Sequence, residues 1–307
     1  MIFNFRSPFQ LIYEIQSKVS MPTRFLVCLT HDVDRIRKTY QYLTHDVRKR
    51  RFGNLKTLFN GTSPYWTFEK IMNIEEEYGV RSTFFFLNET IRFKPFSPSN
   101  WRLSLGRYRV NEPDVASMIR ELDAGGWEIG VHGSYNSYKN LQLLKDEKAA
   151  VEDVLGRPVT GIRQHYLNLD IPDTWKLQRE AGFRYDASFG FQKKVGFRDD
   201  RYHPFTDTKS GMFVIPLAIM EWYLFKTSGY DQEIIWKNTL KIIDLAEKHN
   251  GVLSILWHPH LFSEGDFPGY AEVYRRIIEE TKERGAAFLT GKGIFEKHMG
   301  INPRKES

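Results

Sequence analysis

Cysteine is what the sequence has least of: one in 307 residues. A single thiol cannot close an internal disulfide. Cys28 sits inside an apolar run, so it reads as core filling, and nothing in the chain marks an oxidising compartment. Long hydrophobic runs are missing too. None approaches the roughly 20 residues of a membrane span, and the N-terminus lacks the unbroken apolar stretch of a secretory signal, so the expected location is cytoplasmic. No Gly-rich phosphate loop follows the first apolar strand, which argues against an open dinucleotide-binding sheet. Repeats, low-complexity tracts and Pro/Ser linkers are also lacking. One domain is expected over 24–298, preceded by a helical extension over 1–23 and followed by a tail over 299–307.

The composition that remains is that of a folded soluble chain, 41% hydrophobic and 27% charged. The net charge of +6 is unevenly spread. Arg35, Arg37, Lys38, Arg48, Lys49, Arg50, Arg51 and Lys56 crowd an insertion at about 35–66 with little acid among them. Such a cluster attracts phosphate or an anionic membrane, and equally it can be a solvated surface insertion. No nucleic-acid motif accompanies it, so no nucleic-acid partner is expected. The extension opens with Ser7-Pro8 and carries Phe9, Leu11, Ile12, Ile15 and Val19 on one face. It reads as a helix packed on the domain, with peripheral membrane contact as the alternative.

What organises the rest is Arg24 to Asp34, R-F-L-V-C-L-T-H-D-V-D. The run reads as a strand buried on both faces, and a period of two sends Asp32 and Asp34 the same way. Two carboxylates that close repel unless a cation joins them. A bound divalent metal and an Asp-rich turn both fit. Helical spacing follows at Thr67–Tyr78, Pro113–Ala124, Asn140–Leu155, Pro172–Ala181, Asp231–His249 and Tyr270–Arg284. Apolar strand-like runs lie between them at 81–88, 127–132, 161–166, 183–188, 212–216, 252–258 and 286–290. Residues 95–109 read as an irregular loop.

Strands alternating with helices imply parallel crossovers and an α/β fold of the (β/α) barrel type. Asp32, Asp34, His132, Arg163, His165, Asp186 and His258 all fall at or just past the ends of apolar runs. Barrel enzymes carry their chemistry there. A carboxylate, a histidine and a third polar ligand can hold Zn²⁺ with a position open for water, a second Asp can accept a proton, and a histidine across the site can donate one. That division of labour suits hydrolysis of an amide or ester.

The segments T-H-D-V-D, S-T-F-F-F, E-I-G-V-H-G-S, R-Q-H-Y, Y-D-A-S and L-W-H-P-H follow the order of the motifs of the polysaccharide deacetylases, carbohydrate esterase family 4. The resemblance runs from Phe25 to Thr290. It implies a distorted (β/α)7 barrel that removes N-acetyl groups from sugars with a divalent metal, Zn²⁺ first, with Co²⁺, Ni²⁺ or Mn²⁺ as alternatives. By position, Asp32 resembles the general base, Asp34 and His132 the metal ligands, and Arg163 the arginine that holds the base. The Tyr166 backbone N–H resembles the oxyanion donor, and His258 the general acid, tuned by Asp186. Two positions depart from the family. Its second ligand histidine reads Asn136 here, and its R-x-P-Y reads Arg163-Gln164-His165-Tyr166, so either Asn136 or His165 is left to complete the metal site.

Other residues carry weaker expectations. His260 reads as a structural histidine behind the site, and Glu221 as a rim group or a solvated helix-start acid. His31, His45, His203, His249 and His298 read as surface or core residues. Trp101 and Trp222, in loop-like contexts, are candidates to stack on a sugar. The implied substrate is an N-acetylated sugar; the missing export signal and the basic insertion suit a nucleotide-linked or lipid-linked glycan precursor as well. A hydrolase of another C–N bond, in a ureide or cyclic amide, and a degenerate glycan-binding barrel are the competing readings.

Overall fold

The computed structural model describes residues 24–42 and 63–301. The expected helix within 1–23, the insertion's Arg48, Lys49, Arg50, Arg51 and Lys56, His45, and the tail beyond Ile301 lie outside the described residues. Among the described residues, no helix is long and apolar enough to cross a membrane.

The first strand, β1 (Leu26–Val33), is buried along almost its whole length. It is followed by α1 (Phe68–Glu77), β2 (Thr83–Leu87), α2 (Pro98–Ser104), α3 (Pro113–Ala124) and β3 (Glu128–Gly133). Next come α4 (Leu141–Leu155), β4 (Gly161–Gln164), α5 (Asp173–Glu180), β5 (Tyr185–Asp186), and the short β6 (Phe205–Thr206), β7 (Phe213–Val214) and β8 (Ile219–Met220). The chain closes with α6 (Glu221–Thr227), α7 (Gln232–Lys248), β9 (Val252–Leu256), α8 (Tyr270–Glu283), β10 (Ala287–Phe288) and α9 (Gly291–Met299). The strands lie in the order β6-β7-β5-β4-β3-β2-β1-β9-β8, with β10 paired to the start of β1. Every pair is parallel except β6–β7. This is a distorted (β/α) barrel, as expected, and among the described residues no ladder joins β7 to β8 to close it.

Period-two alternation divides the strands into two faces. Val27, Leu29 and Val33 of β1, Phe84 and Phe86 of β2, Ile129 and Val131 of β3, and Leu253 and Ile255 of β9 join the main apolar core. The other phase faces the barrel interior. Its lower part is a second cluster of Cys28, Phe85, Tyr185, Phe213 and Val252, closed by Ile294 of α9. Two glycines make room for it. A Cβ on Gly130 would come within 2.6 Å of the Phe85 ring, and one on Gly161 would run into Tyr185. Burial of each such ring is worth about 1.5–3 kcal/mol, so the filled interior is a stabilising plug beneath the site.

Helix starts follow from local chemistry. Asn140 and Asp231 cap α4 and α7, their side chains accepting the Leu143 and Ile234 N–H groups at 3.0 and 2.9 Å. Residues 95–109 depart from the expected irregular loop. Pro98, whose fixed φ suits a first helical turn, begins α2 there.

Candidate metal and acid–base site

The inward phase that carries the lower plug also carries the polar tips above it. In β1, Cys28 is followed by Thr30 and then Asp32; in β3, Gly130 is followed by His132; in β4, Gly161 by Arg163; in β9, Leu256 by His258. The registers His132↔Arg163 and Thr30↔Leu256 set these tips side by side. They open on a cleft of about 950 Å³, whose wall includes Asp32, Asp34, His132, His165, His258 and Trp222.

Asp34, His132 and His165 converge. His132 Nε2 is 3.1 Å from one Asp34 carboxylate oxygen, and His165 Nε2 is 3.4 Å from the other. One ligand atom from each lies within 4.8 Å of the other two. Asp34 Oδ1 and His132 Nε2 are buried and have no hydrogen-bond partner. His132 Nδ1 is 3.0 Å from the Arg163 carbonyl oxygen, an acceptor, so Nδ1 carries the proton and Nε2 presents a lone pair. Two acceptor atoms facing each other without a donor between them is the arrangement a cation relieves. One carboxylate and two imidazoles also suit Zn²⁺, so the residues present fit a divalent metal.

Of the two residues left as alternatives, it is His165, not Asn136, that lies beside Asp34 and His132. Asn136 is exposed, at the entry to the short helical turn Ser137–Lys139, and is not part of the cleft wall. The strand-like run expected to reach Tyr166 stops at Gln164. His165 to Leu167 form a tight turn in which Tyr166 and Leu167 take φ of 58° and 54°. Non-glycine residues in that region cost about 1–3 kcal/mol each, and such strain is concentrated where a side chain must be aimed. Here the turn swings the His165 ring beside His132, with centroids 5.2 Å apart.

Charge around this group is opposed. Burial pushes the Asp34 carboxyl up, but the permanently charged Arg107 beside it opposes this, and the carboxyl is held well below the usual carboxylate range. Burial brings His165 down to about 4 against the pull of Asp34, so its imidazole is neutral and able to ligate. Arg107, not anticipated from sequence, donates to the Asp34 backbone oxygen at 2.7 Å and approaches its carboxylate at 3.8 Å.

Asp32 lies beside the metal group. The buried Arg163 donates to it at 3.1 Å, to Thr30 Oγ1 at 2.6 Å and to the Ala187 carbonyl at 2.9 Å. Its guanidinium rests over the Phe85 ring at 4.8 Å. Tyr166 lines the cleft with its ring half exposed and stacked on His165 at 4.4 Å.

Across the cleft, His258 Nε2 is 4.0 Å from Asp34 Oδ2. Its expected tuner, Asp186, does not reach it. In β5, Tyr185 takes the inward position, so Asp186 points to the helix side. There it accepts from Gln178 Nε2 of α5 at 2.9 Å and from the Ser188 hydroxyl at 2.7 Å. Burial raises the Asp186 carboxyl, and those donors oppose the rise. The partner of His258 is Glu221, at 2.5 Å from Nδ1. Glu221 is fully buried, neither a rim group nor a solvated acid. The β8–β9 register Met220↔Leu256 brings it to His258, a pairing no local pattern could have signalled.

The remaining expectations separate cleanly. His260 lines the cleft, its ring 5.6 Å from His258. Burial, with His258 adding to it, holds His260 well below its usual range. Trp222 lines the cleft and is 38% exposed; Trp101 is exposed on α2, not on a loop. His31 is buried outside the barrel, against Glu75 Oε1 at 2.9 Å, while His249 stacks on Tyr202 and His298 lies against Phe213. In the described part of the basic insertion, Lys38 is paired with Asp266 at 2.8 Å and Arg37 with Glu112 at 2.5 Å.

No protein-family model matches this sequence, and no curated protein matches it. Solved structures do. The chain is similar to a putative polysaccharide deacetylase from Mycobacterium smegmatis (20% identity, TM-score 0.55, 94% of this chain and 96% of that one). It is also similar to Puue allantoinase (14%, TM-score 0.59, 92% of each) and to a probable polysaccharide deacetylase from Pseudomonas aeruginosa PAO1 (13%, TM-score 0.58, 92% and 93%). At these identities the likeness concerns the fold. That fold is the barrel of polysaccharide deacetylases, the one the motif order implied. An allantoinase shares it, so the fold alone does not select the substrate.

Proposed function

We propose that this chain is a metal-dependent hydrolase of the polysaccharide deacetylase family that removes the N-acetyl group from an amino sugar. One observation carries the reading: a carboxylate clamped by a buried arginine stands beside an Asp-His-His group, and a histidine paired with a buried glutamate faces both across one cleft.

Asp34, His132 and His165 would hold the ion, with Zn²⁺ the best match to the donors. A bound divalent ion supplies Lewis acidity toward a water and toward an amide carbonyl. Asp32, held in place by the Arg163 guanidinium, takes the proton of the attacking water. The Tyr166 backbone N–H donates to the oxyanion. His258 is the general acid. Burial opposes its protonation, but Glu221 overcomes this and raises it to about 9, so the ring carries its proton at neutral pH and delivers it from Nε2 to the departing amine nitrogen. Leu167, Leu256 and Met220 offer the acetyl methyl an apolar wall, and Trp222 a face for the sugar ring.

The substrate class that fits is an N-acetylhexosamine in a nucleotide-linked or lipid-linked glycan precursor. Acetate release from N-acetyl sugars and their nucleotide derivatives tests the reading. Turnover by the metal-loaded protein that is abolished in Asp32→Asn is expected, whereas silence across the whole panel would overturn it. Allantoin belongs in the same panel, because activity there alone would move the chemistry to another C–N bond.

A further inference from the structure

The loop that follows β2 is unusual in what it exposes. Phe96 is 100% exposed and Phe93 48%, with Trp101 exposed beside them. From Thr90 to Asn111 the chain carries five cations, Arg92, Lys94, Arg102, Arg107 and Arg109, and no acid. Arg92, Lys94 and Arg109 are on the surface.

This is a built knuckle. Asn100 ties both sides of it, its carbonyl oxygen accepting the Lys94 N–H at 2.6 Å and its amide donating to the Arg92 carbonyl at 3.0 Å. The Trp101 indole N–H donates to the Lys94 and Pro95 carbonyls at 3.2 and 3.0 Å, so the polar edge of that ring is already satisfied within the loop. Backbone so held presents two phenylalanines to water at a standing hydrophobic cost. The knuckle also stands next to the cleft: Leu103 of α2 lines the cleft wall, and Arg107 bonds Asp34.

We propose that this segment, the loop from residue 91 and the start of α2 up to residue 102, docks the cleft-bearing face of the protein on an anionic lipid surface. Exposed aromatic rings flanked by cations, in a segment from 90 to 111 that itself carries no acid, match the two layers of such an interface. The rings enter the acyl boundary and the cations meet the phosphates. A protein partner would need complementary acid around an apolar pocket, and the solitary projection of Phe96 offers little area for one. The contact brings the cleft to the plane in which a lipid-linked glycan presents its sugar. That consequence rests on the hydrolase reading; the surface contact does not.

Sedimentation with vesicles of equal parts phosphatidylglycerol and phosphatidylcholine tests it, comparing the full chain with its Phe93→Ser/Phe96→Ser variant. Both side chains are exposed and outside the cleft, so the variant folds, which its melting temperature checks. The wild type is expected to sediment with these vesicles and not with phosphatidylcholine alone. The variant is expected to bind at least about tenfold more weakly, from the lost apolar transfer. Equal binding by the two proteins, as when the cations at 48–56 act alone, would overturn the proposal, and so would a wild type that stays in the supernatant. Neither result depends on catalysis, so a failure here and a failure of acetate release remain distinguishable.

Discussion

His258 Nδ1 and its own backbone N–H converge on a single oxygen of Glu221, at 2.5 and 3.0 Å. One carboxylate thereby fixes both the ring and the chain that carries it. The imidazole, ordinarily near 6.5, is raised to about 9: burial works against the charge, and Glu221 with the more distant Asp34 and Asp32 outweighs it.

The sign follows from linkage. The folded value is above the unfolded one, so the stability this group contributes is fully present below about 6.5 and lost as pH rises through about 9. A reaction needing the His258 proton keeps it over the same range. For Glu221→Gln we expect the basic limb of kcat/KM to move down and kcat to fall at least about tenfold. Asp186→Asn should leave that limb where it is. An unmoved limb in Glu221→Gln would refute the pairing as the source of the raised value.

Metal retention separates the two candidate ligands. Changing His165 to Ala should weaken binding of Zn²⁺ by about 10–100-fold or more, since even groups that only orient ligands have effects of that size. Asn136→Ala should bind Zn²⁺ like the wild type. Titration calorimetry reads both, and the opposite order would return the site to the family's usual spacing.

Arg163 is fully buried and bonded to Asp32, Thr30 and the Ala187 carbonyl. Replacing it with Met leaves the Asp32 carboxylate buried without its cation, a loss of about 3–5 kcal/mol for a broken buried pair. Urea unfolding is expected to show a drop of that order. A near-neutral Met variant would mean that Asp32 draws little from the arginine.

Glu147 of α4 provides a pH test away from the reacting groups. Burial raises its carboxyl from 4.5 to about 8, against hydrogen bonds from Ser134 and Ser137. A raised folded value means its contribution to stability is complete below about 4.5 and lost as pH rises through about 8, where the buried carboxylate must ionise. The wild-type melting temperature should therefore fall more steeply than that of Glu147→Gln between about pH 4.5 and about pH 8, and in parallel with it above that. Curves parallel over the whole range would contradict this.

Long periodic segments were legible from sequence nearly to their ends: the helix expected at Asp231–His249 spans Gln232–Lys248, and the strand at 127–132 spans Glu128–Gly133. Their length averages over local exceptions, and a buried strand needs an apolar run whatever surrounds it. Short elements were not. The run at 183–188 carried Asp186 in what read as a strand-tip position, yet its phase is set by Tyr185 filling the space above Gly161, a contact across the ladder. The helix at Pro98 was hidden because aromatic and basic residues without period mask so short an element.

By itself, then, the chain determined an alternating barrel and the set of polar tips at one end of it, because periodicity and the order of apolar runs are one-dimensional properties. Tertiary structure alone decided how those tips are partnered. Glu221 reaches His258 through the β8–β9 register, and His165, not Asn136, takes the place beside His132, through a left-handed turn after β4. Both are distances between residues far apart or backbone angles at one residue, and neither leaves a periodic trace in the sequence.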